Sequence, residues 1–257
     1  MIEVYKPKKT EDIPVYELYK YVGVYNKLQN LISKDIASYI TSHNKDYVRI
    51  LDLGVGSCNS IEYILDNLDE SSKKLPKIYY TGVDINKENL SFCEEKFENK
   101  ILLEAGNRGI KLEYKLVSSD ITKDLDKKLN EKSYDIILLI SVLEFLGNDW
   151  KKALDNAYNL LKEGGRMYIA IPYRIPMFLR KLWTTYVGIK TILKEKIKGN
   201  SEFPLSYAIK KMKEAKNLIK EFNKINKKDV INYIKDRAKN IEVKTIRPYM
   251  DIIIIEK

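Results

Sequence analysis

The chain is poor in the residues that most metal sites and covalent catalytic sites require. It has one histidine, His43, and two cysteines, Cys58 and Cys93, in 257 residues. A single histidine leaves no basis for paired-histidine catalysis or a histidine-rich metal site, and we predict no metal centre. Two cysteines do not make a disulfide framework, so we expect both to be reduced thiols, as in cytosolic proteins.

Long apolar runs are also missing. The sequence has no stretch of about 18 apolar residues that would span a membrane. No apolar run follows a basic start, so no signal peptide is predicted. These absences lead us to expect a cytoplasmic protein. What is present is ordinary for a globular domain, with 44% hydrophobic residues and enough length for one α/β domain plus an insertion.

The most informative segment is an apolar run that ends in an acid and two spaced glycines. Residues Val48 to Asn59 read VRILDLGVGSCN. Gly54 and Gly56 allow the backbone to bend and to approach a ligand closely. A dinucleotide fingerprint would need a third glycine at Asn59 and no fixed negative charge beside the pyrophosphate. Asp52 would repel phosphate but accept a sulfonium and an ammonium, so these residues favour S-adenosylmethionine over NAD.

Further strand-like segments follow at the spacing of alternating strands and helices. The second and third segments end in acids, Asp84 and Asp120, and an acid at the tip of the second strand can accept hydrogen bonds from ribose hydroxyls. The fourth is almost entirely apolar, as expected for a central parallel strand that is buried on both faces. The last two form an antiparallel pair. The segments are 77–84, 115–120, 134–141, 166–171, 241–246 and 251–256.

Taken in order, these motifs resemble those of the class I S-adenosylmethionine-dependent methyltransferases. The resemblance runs from Tyr47 to Pro172 and resumes at Ile241. Residues 51–56 match the family's first motif, although the family usually has a third glycine where Cys58 stands; a thiol is small enough to fit there. The resemblance implies an α/β fold, with a Rossmann-like, doubly wound, mostly parallel seven-stranded sheet. It also implies S-adenosylmethionine as the cofactor.

The resemblance further implies a cofactor site along the ends of the first four strands. Asp84 matches the ribose-binding acid of the family, and Asp120 matches the residue that contacts the adenine amino group. The expected cofactor-binding residues are Asp52, Gly54, Gly56, Ser57, Asp84, Ile85, Asp120, Ile121 and Ser141.

The sequence does not identify the catalytic residues. Methyl transfer can gain much of its rate from positioning, and a base is needed only when the acceptor must lose a proton. Residues 141–146, SVLEFL, differ from the Asn/Asp-Pro-Pro-Tyr motif of nucleobase amino methyltransferases and look like the small-molecule branch. The candidates are Glu144, Tyr25 and His43. Glu144 could equally be an acid at a helix N-terminus, where it faces the helix dipole. Tyr25 could close over the cofactor, as a tyrosine of the N-terminal segment often does in the family, or it could only pack its helix against the sheet edge. His43 could be a surface residue.

We expect one methyltransferase domain over residues 1–257. Its parts are an N-terminal helical cap (1–46), a cofactor-binding core (47–172), a helical insertion between the fifth and sixth strands (173–240) and a closing strand pair (241–257). The insertion has 18 Lys and Arg against 6 Asp and Glu, a net charge of +12, whereas the rest of the chain has 28 against 30, a net of −2. This excess favours an anionic partner as much as it favours solvated surface helices.

Three functions remain open from the sequence. The first is methyl transfer to a small or lipid-like acceptor, with an anionic acceptor among the options. The second is a tRNA or rRNA methyltransferase whose basic insertion grips phosphates, and the third is a non-catalytic subunit that binds the cofactor for regulation. Residues 175–187 mix aromatic side chains with Arg and Lys, which predicts a lid over the acceptor, a core segment or a peripheral membrane contact. The sequence does not indicate the oligomeric state.

Overall fold

A seven-stranded sheet organises the chain in a computed structural model that describes residues 23–43, 45–68, 75–123, 125–129, 133–172, 225–246 and 250–257. Along the sheet, the first three strands lie on one side in reverse chain order, and the remaining strands lie on the other. The order is β3-β2-β1-β4-β5-β7-β6, and β7 is antiparallel to both neighbours while the other pairs are parallel. The predicted fold class is therefore confirmed. The strands are β1 (Tyr47–Leu53), β2 (Lys77–Asp84), β3 (Leu112–Ser118), β4 (Tyr134–Ile140), β5 (Leu161–Pro172), β6 (Asn240–Ile246) and β7 (Met250–Glu256).

Helices cover both faces of this sheet. In the part of the chain that the structure describes, four helices and a π-helical turn (Phe97–Ile101) pack on one face, and three helices pack on the other. Two short 3-10 turns, Leu143–Phe145 and Gly147–Asp149, follow β4. The first face carries α1 (Gly23–Ser42), α2 (Asn59–Asn67), α3 (Lys87–Lys96) and α4 (Leu102–Asn107), and the second carries α5 (Asp126–Leu129), α6 (Trp150–Leu160) and α7 (Lys227–Ile234).

Alternating side chains divide the core into two layers. On β1, Val48 and Ile50 are buried in the layer beneath α1 and α2, whereas Leu51 and Leu53 are buried beneath α6. This alternation is the two-residue period of a β-strand. Because both faces are covered, β4 needs apolar residues at successive positions, which is what its sequence provides.

The described part of the predicted N-terminal cap is α1, and a carboxylate fixes it to the sheet. Asp35 accepts hydrogen bonds from the Tyr168 hydroxyl at 2.7 Å, from Arg166 at 3.1 Å and from Lys244 at 3.0 Å. Burial alone would raise the pKa of Asp35, but hydrogen bonds from Tyr168 and Lys244, with the charges of Lys244 and Arg166, hold that pKa below its ordinary value. The helix is therefore held by β5 and β6 as well as by apolar packing.

One expectation about the cysteines is wrong. Cys58 and Cys93 form a disulfide, with Cα atoms 5.6 Å apart, instead of remaining as two reduced thiols. They are 35 positions apart in the chain, and the packing of α3 beneath the turn after β1 brings them together.

Part of the predicted insertion is described. Residues 225–240 contain α7, whose Val230 and Ile234 are buried in the second layer of the core. Residues 173–224, including the predicted lid at 175–187, lie outside the described residues. No helix in the described ranges is both long enough and apolar enough to cross a membrane.

Candidate functional site

The candidate site lies at the carboxyl ends of β1 and β4, where the strand order in the sheet reverses. From β1 the chain builds the sheet outward through β2 and β3, and from β4 it builds the other side. In open α/β sheets, ligands bind in the crevice at such a point. The loops after β1 and β4 touch there, because a Cβ built on Gly54 would lie 2.5 Å from Cγ2 of Val142. The backbone at Gly54 therefore needs a residue without a side chain.

The turn after β1 has a left-handed backbone at alternate positions. The φ angles are 76° at Gly54, 55° at Gly56 and 55° at Cys58. Cys58 thus keeps the backbone form that a glycine would adopt more easily. The N–H groups of Gly54 and Val55 donate to the carbonyl of Val83 at 2.8 and 3.0 Å, which fixes the turn against β2.

Asp84 joins this turn to the loop after β2. Its Oδ2 accepts hydrogen bonds from the Gly56 N–H at 2.9 Å and from Nδ2 of Asn89 at 3.3 Å, and its Oδ1 accepts one from the Asn86 N–H at 2.8 Å. A carboxylate has roughly four acceptor positions, and these bonds use three of them. The Asp84 carboxylate can therefore hold the turn and still accept a hydrogen bond from a ligand hydroxyl.

Asp52 lies buried beneath the turn. Its Oδ2 accepts a hydrogen bond from the Tyr80 hydroxyl at 2.7 Å, and only 2% of the residue is exposed. Burial raises the pKa of Asp52 to about 6; hydrogen bonds from Tyr80 and Ser60 oppose the rise, and the nearby charge of Asp84 adds to it. At neutral pH the group is mostly ionised, so it places negative charge beneath the turn, as suits a cationic ligand.

Two hydroxyls border the turn. α1 brings the Tyr25 hydroxyl to Nε2 of Gln29 at 2.8 Å and to the side chain of Asn59. Burial raises the pKa of Tyr25, so its hydroxyl stays neutral. The Ser57 Oγ is buried and has no hydrogen-bond partner among the described residues. Because an unpaired buried polar atom is costly, Ser57 fits a site that receives a polar group of the cofactor.

The other predicted cofactor residues follow the same edge of the sheet. Ile85, directly after β2, is 71% exposed, and Ile121 is buried. Asp120 accepts hydrogen bonds from the Thr122 N–H at 2.9 Å and from its Oγ1 at 2.7 Å, and these bonds hold the pKa of Asp120 below its ordinary value. Ser141, directly after β4, has a φ angle of 57°, a strained form that is typical of functional loops.

The structure brings two of the three candidate catalytic residues to this region. Glu144 lies in the 3-10 turn after β4 and is 1% exposed, and Tyr25 borders the turn after β1. His43 lies at the opposite edge, just before β1 begins. Its Nδ1 is 2.8 Å from the carbonyl oxygen of Tyr39, whose hydroxyl donates to the carbonyl of Gly164 near the amino end of β5. His43 is therefore not part of the candidate site.

One residue beneath the turn was not predicted. Lys96, in the last turn of α3, is 1% exposed and contacts the turn from below. A lysine near a helix end normally indicates a solvated position. The available signal was its spacing of seven residues from Asn89 and three from Cys93, which places all three on one helix face.

Comparison with known proteins finds a methyltransferase domain in this chain. Residues 51–167 match the family described as "Methyltransferase domain". The Dictyostelium discoideum protein named "Probable polyketide synthase 10" is 27% identical over 166 residues, a match that covers 60% of this chain and 6% of that protein. The chain therefore spans a small part of this much longer relative.

Solved structures show the same fold. The CurJ carbon methyltransferase has a TM-score of 0.58 and 17% identity, with 93% of this chain and 57% of that chain covered. A Methanococcus maripaludis protein described as an S-adenosylmethionine-dependent methyltransferase has a TM-score of 0.52 and 17% identity, with 99% and 96% covered. The domain match, together with the strand order and the strand-end acids, identifies residues 51–167 as part of a methyltransferase domain of the class I S-adenosylmethionine-dependent type, with S-adenosylmethionine as its cofactor.

Proposed function

We propose that this chain transfers the methyl group to an acidic carbon of a small acyl acceptor, of the kind found in polyketide chains. The observation that carries the proposal is agreement between two separate comparisons, one with a polyketide synthase and one with a carbon methyltransferase. A carbon between two carbonyl groups loses a proton readily because both carbonyls share the resulting negative charge. Such a carbon becomes a nucleophile once one proton is removed.

In this proposal the turn after β1 and the end of β2 hold the cofactor. Asp84 accepts a hydrogen bond from a ribose hydroxyl, and Ser57 pairs its buried Oγ with a polar group. Asp52 favours the positive charges from below, while Ile85 and Asp120 border the adenine end. S-adenosylmethionine supplies an already activated methyl group when bound. The chain's task is then to position the acceptor and to receive one proton.

Glu144 is the proposed proton acceptor. It lies two residues after Val142, whose side chain lies against Gly54, and this places it beside the contact between the two loops. A carboxylate at that point can act as general base on the acceptor carbon, so that the carbon keeps the electron pair of the broken C–H bond and Glu144 keeps the proton.

A labelling experiment tests the acceptor class. The chain is incubated with S-adenosylmethionine carrying a labelled methyl group and with the acetoacetyl thioester of N-acetylcysteamine. The matched control is the 2,2-dimethyl form of that thioester, which has no proton on the central carbon. We expect mass spectrometry to find the label on the central carbon of the first compound, and the second compound to remain unlabelled at that position.

Other outcomes identify the alternatives. Total tRNA is included as a third acceptor because residues 173–240 carry a net charge of +12, from 18 basic against 6 acidic residues. Label in tRNA alone would overturn the proposal in favour of an RNA methyltransferase. Cofactor binding without transfer to any acceptor would instead favour a regulatory subunit.

The variant Glu144→Gln tests the base. We expect kcat with the acetoacetyl thioester to fall by about a hundredfold or more, the usual contribution of a general base, while the Kd of S-adenosylmethionine stays unchanged. Asp149→Asn, a change to an exposed acid in the next 3-10 turn, serves as the control and should leave kcat unchanged. An unaltered kcat in Glu144→Gln would remove Glu144 from the reaction.

A further inference from the structure

The inward face of α3 forms the underside of the cofactor turn. Three buried residues on this face, Asn89, Cys93 and Lys96, are spaced by four and three positions, so they lie one above another on the helix. Each reaches a different part of the site. Asn89 donates to the Asp84 carboxylate, Cys93 is bonded to Cys58, and Lys96 lies beneath Ser57.

The Lys96 ammonium contacts both the turn and the start of α2. Its Nζ donates hydrogen bonds to the carbonyl oxygen of Ser57 at 2.8 Å and to Oδ1 of Asn59 at 2.9 Å. The same atom forms an ion pair with Oε2 of Glu62 at 2.6 Å. Burying a charge is costly unless acceptors surround it, and here all three acceptors belong to the turn and to the start of α2. The Lys96 ammonium therefore links the turn to the start of α2.

The start of α2 lacks the usual means of fixing such a turn. Its N-cap residue is Cys58, which makes no side-chain hydrogen bond to the helix and has a left-handed backbone. Serine, threonine, aspartate or asparagine would normally supply a capping oxygen at this position. The disulfide to Cys93 and the Lys96 ammonium, both from α3, hold this turn instead, although an ammonium donates hydrogen bonds and does not accept them from the helix N–H groups. By holding the Ser57 carbonyl, Lys96 also sets the orientation of the peptide group between Ser57 and Cys58.

We propose that Lys96 is a positioning residue that sets the geometry of the cofactor turn through its bonds to Ser57 and Asn59. It touches neither cofactor nor acceptor. The proposal rests on the family's cofactor site and not on the acceptor class, since it concerns binding of S-adenosylmethionine alone. A failure to methylate the acetoacetyl thioester would leave it unaffected.

The chain offers a matched control for Lys96. Lys100 pairs with the other oxygen of the same carboxylate, Oε1 of Glu62, at 2.7 Å, and it is 36% exposed. Both Lys96→Met and Lys100→Met remove one ion pair of Glu62, but Lys96→Met alone removes the bonds to Ser57 and Asn59. We expect calorimetry to show that Lys96→Met raises the Kd of S-adenosylmethionine about tenfold, a change about as large as the loss of one hydrogen bond to a charged group. Lys100→Met should raise this Kd less than about twofold, because exposed ion pairs contribute little.

A double variant separates positioning from stability. Replacing the buried ion pair by apolar residues, in Glu62→Leu with Lys96→Met, should restore much of the stability lost in Lys96→Met, and it decides the question if the single variant does not fold. We expect the double variant to unfold at a temperature near that of the wild type and still to bind S-adenosylmethionine about tenfold more weakly. Its KM for the cofactor should rise while kcat at saturation changes little.

Two results would overturn the proposal. One is wild-type affinity in a folded Lys96→Met or in the double variant, which would make Lys96 a purely structural residue. The other is an equal loss of affinity in Lys100→Met, which would assign the effect to Glu62. Absence of cofactor binding in the wild type would be a different result, since it would contradict the cofactor assignment itself.

Discussion

The variant Gly54→Ala tests whether the loops after β1 and β4 pack tightly against each other at Gly54 and Val142. Gly54 has a φ angle of 76°, and an added Cβ would lie 2.5 Å from Cγ2 and 3.1 Å from Cγ1 of Val142. An L-residue in the left-handed region costs roughly 1–2 kcal/mol, and overpacking adds about 1–3 kcal/mol. The expected loss in free energy of unfolding is therefore about 2–5 kcal/mol, a large part of a typical domain's stability.

Removing the side chain in contact separates these two contributions. Val142→Ala deletes both Cγ atoms and leaves the Cβ of residue 142 at 3.4 Å from the new Cβ, an ordinary contact distance. The double variant should recover the overpacking part of the loss and keep the backbone part. Urea denaturation of the four proteins in this cycle should give a coupling free energy of about 1–3 kcal/mol.

A second glycine provides the control. Gly109 has nearly the same backbone, with a φ angle of 69°, but beyond its chain neighbours no atom of the described residues lies within 4 Å of a Cβ built there. Gly109→Ala should therefore lose only the backbone part, about 1–2 kcal/mol. If Gly54→Ala costs no more than Gly109→Ala, or if Val142→Ala restores nothing, the two loops do not constrain each other as described.

Three carboxylates give further predictions. Asp84→Asn should weaken S-adenosylmethionine binding at least about tenfold in calorimetry, because an amide is a poorer acceptor than a carboxylate, and unchanged affinity would exclude Asp84 from the site. Folding raises the pKa of Asp52 from 3.8 to about 6. Its contribution to the free energy of unfolding is therefore greatest below about pH 4 and is lost as the pH rises through about 6, a change on the order of 3 kcal/mol. Denaturation of Asp52→Asn should lack this pH dependence. Asp35 has a lowered pKa, so its contribution is present above its ordinary value and is lost on acidification. Asp35→Asn should cost about 1–3 kcal/mol at pH 7, and equal acid sensitivity of both proteins would contradict the contacts with Tyr168 and Lys244.

The fold could be predicted from the sequence because its signals are local. β4 is apolar along its length, and Asp52, Gly54 and Gly56 mark the end of β1. Backbone sterics and the two-residue period of a strand act over a few residues, so a short stretch of sequence contains them in full. The acids at the ends of successive parallel strands necessarily meet at one edge of the sheet, and this is why the sequence could predict a cofactor site there.

The partners of individual side chains depended on how the elements pack. Helical spacing puts Lys96 and Cys93 on one face, but it does not distinguish them from a solvated lysine and a free thiol, because their burial depends on how α3 docks beneath the turn after β1. The pairing of β1 with β2 gave Asp84 its bond to the Gly56 N–H. The path of α1 into β1 placed His43 at the edge of the sheet opposite the candidate site. Tertiary structure alone decided these roles, since the partners lie far apart in the chain and their energies depend on burial, which no short segment of sequence contains.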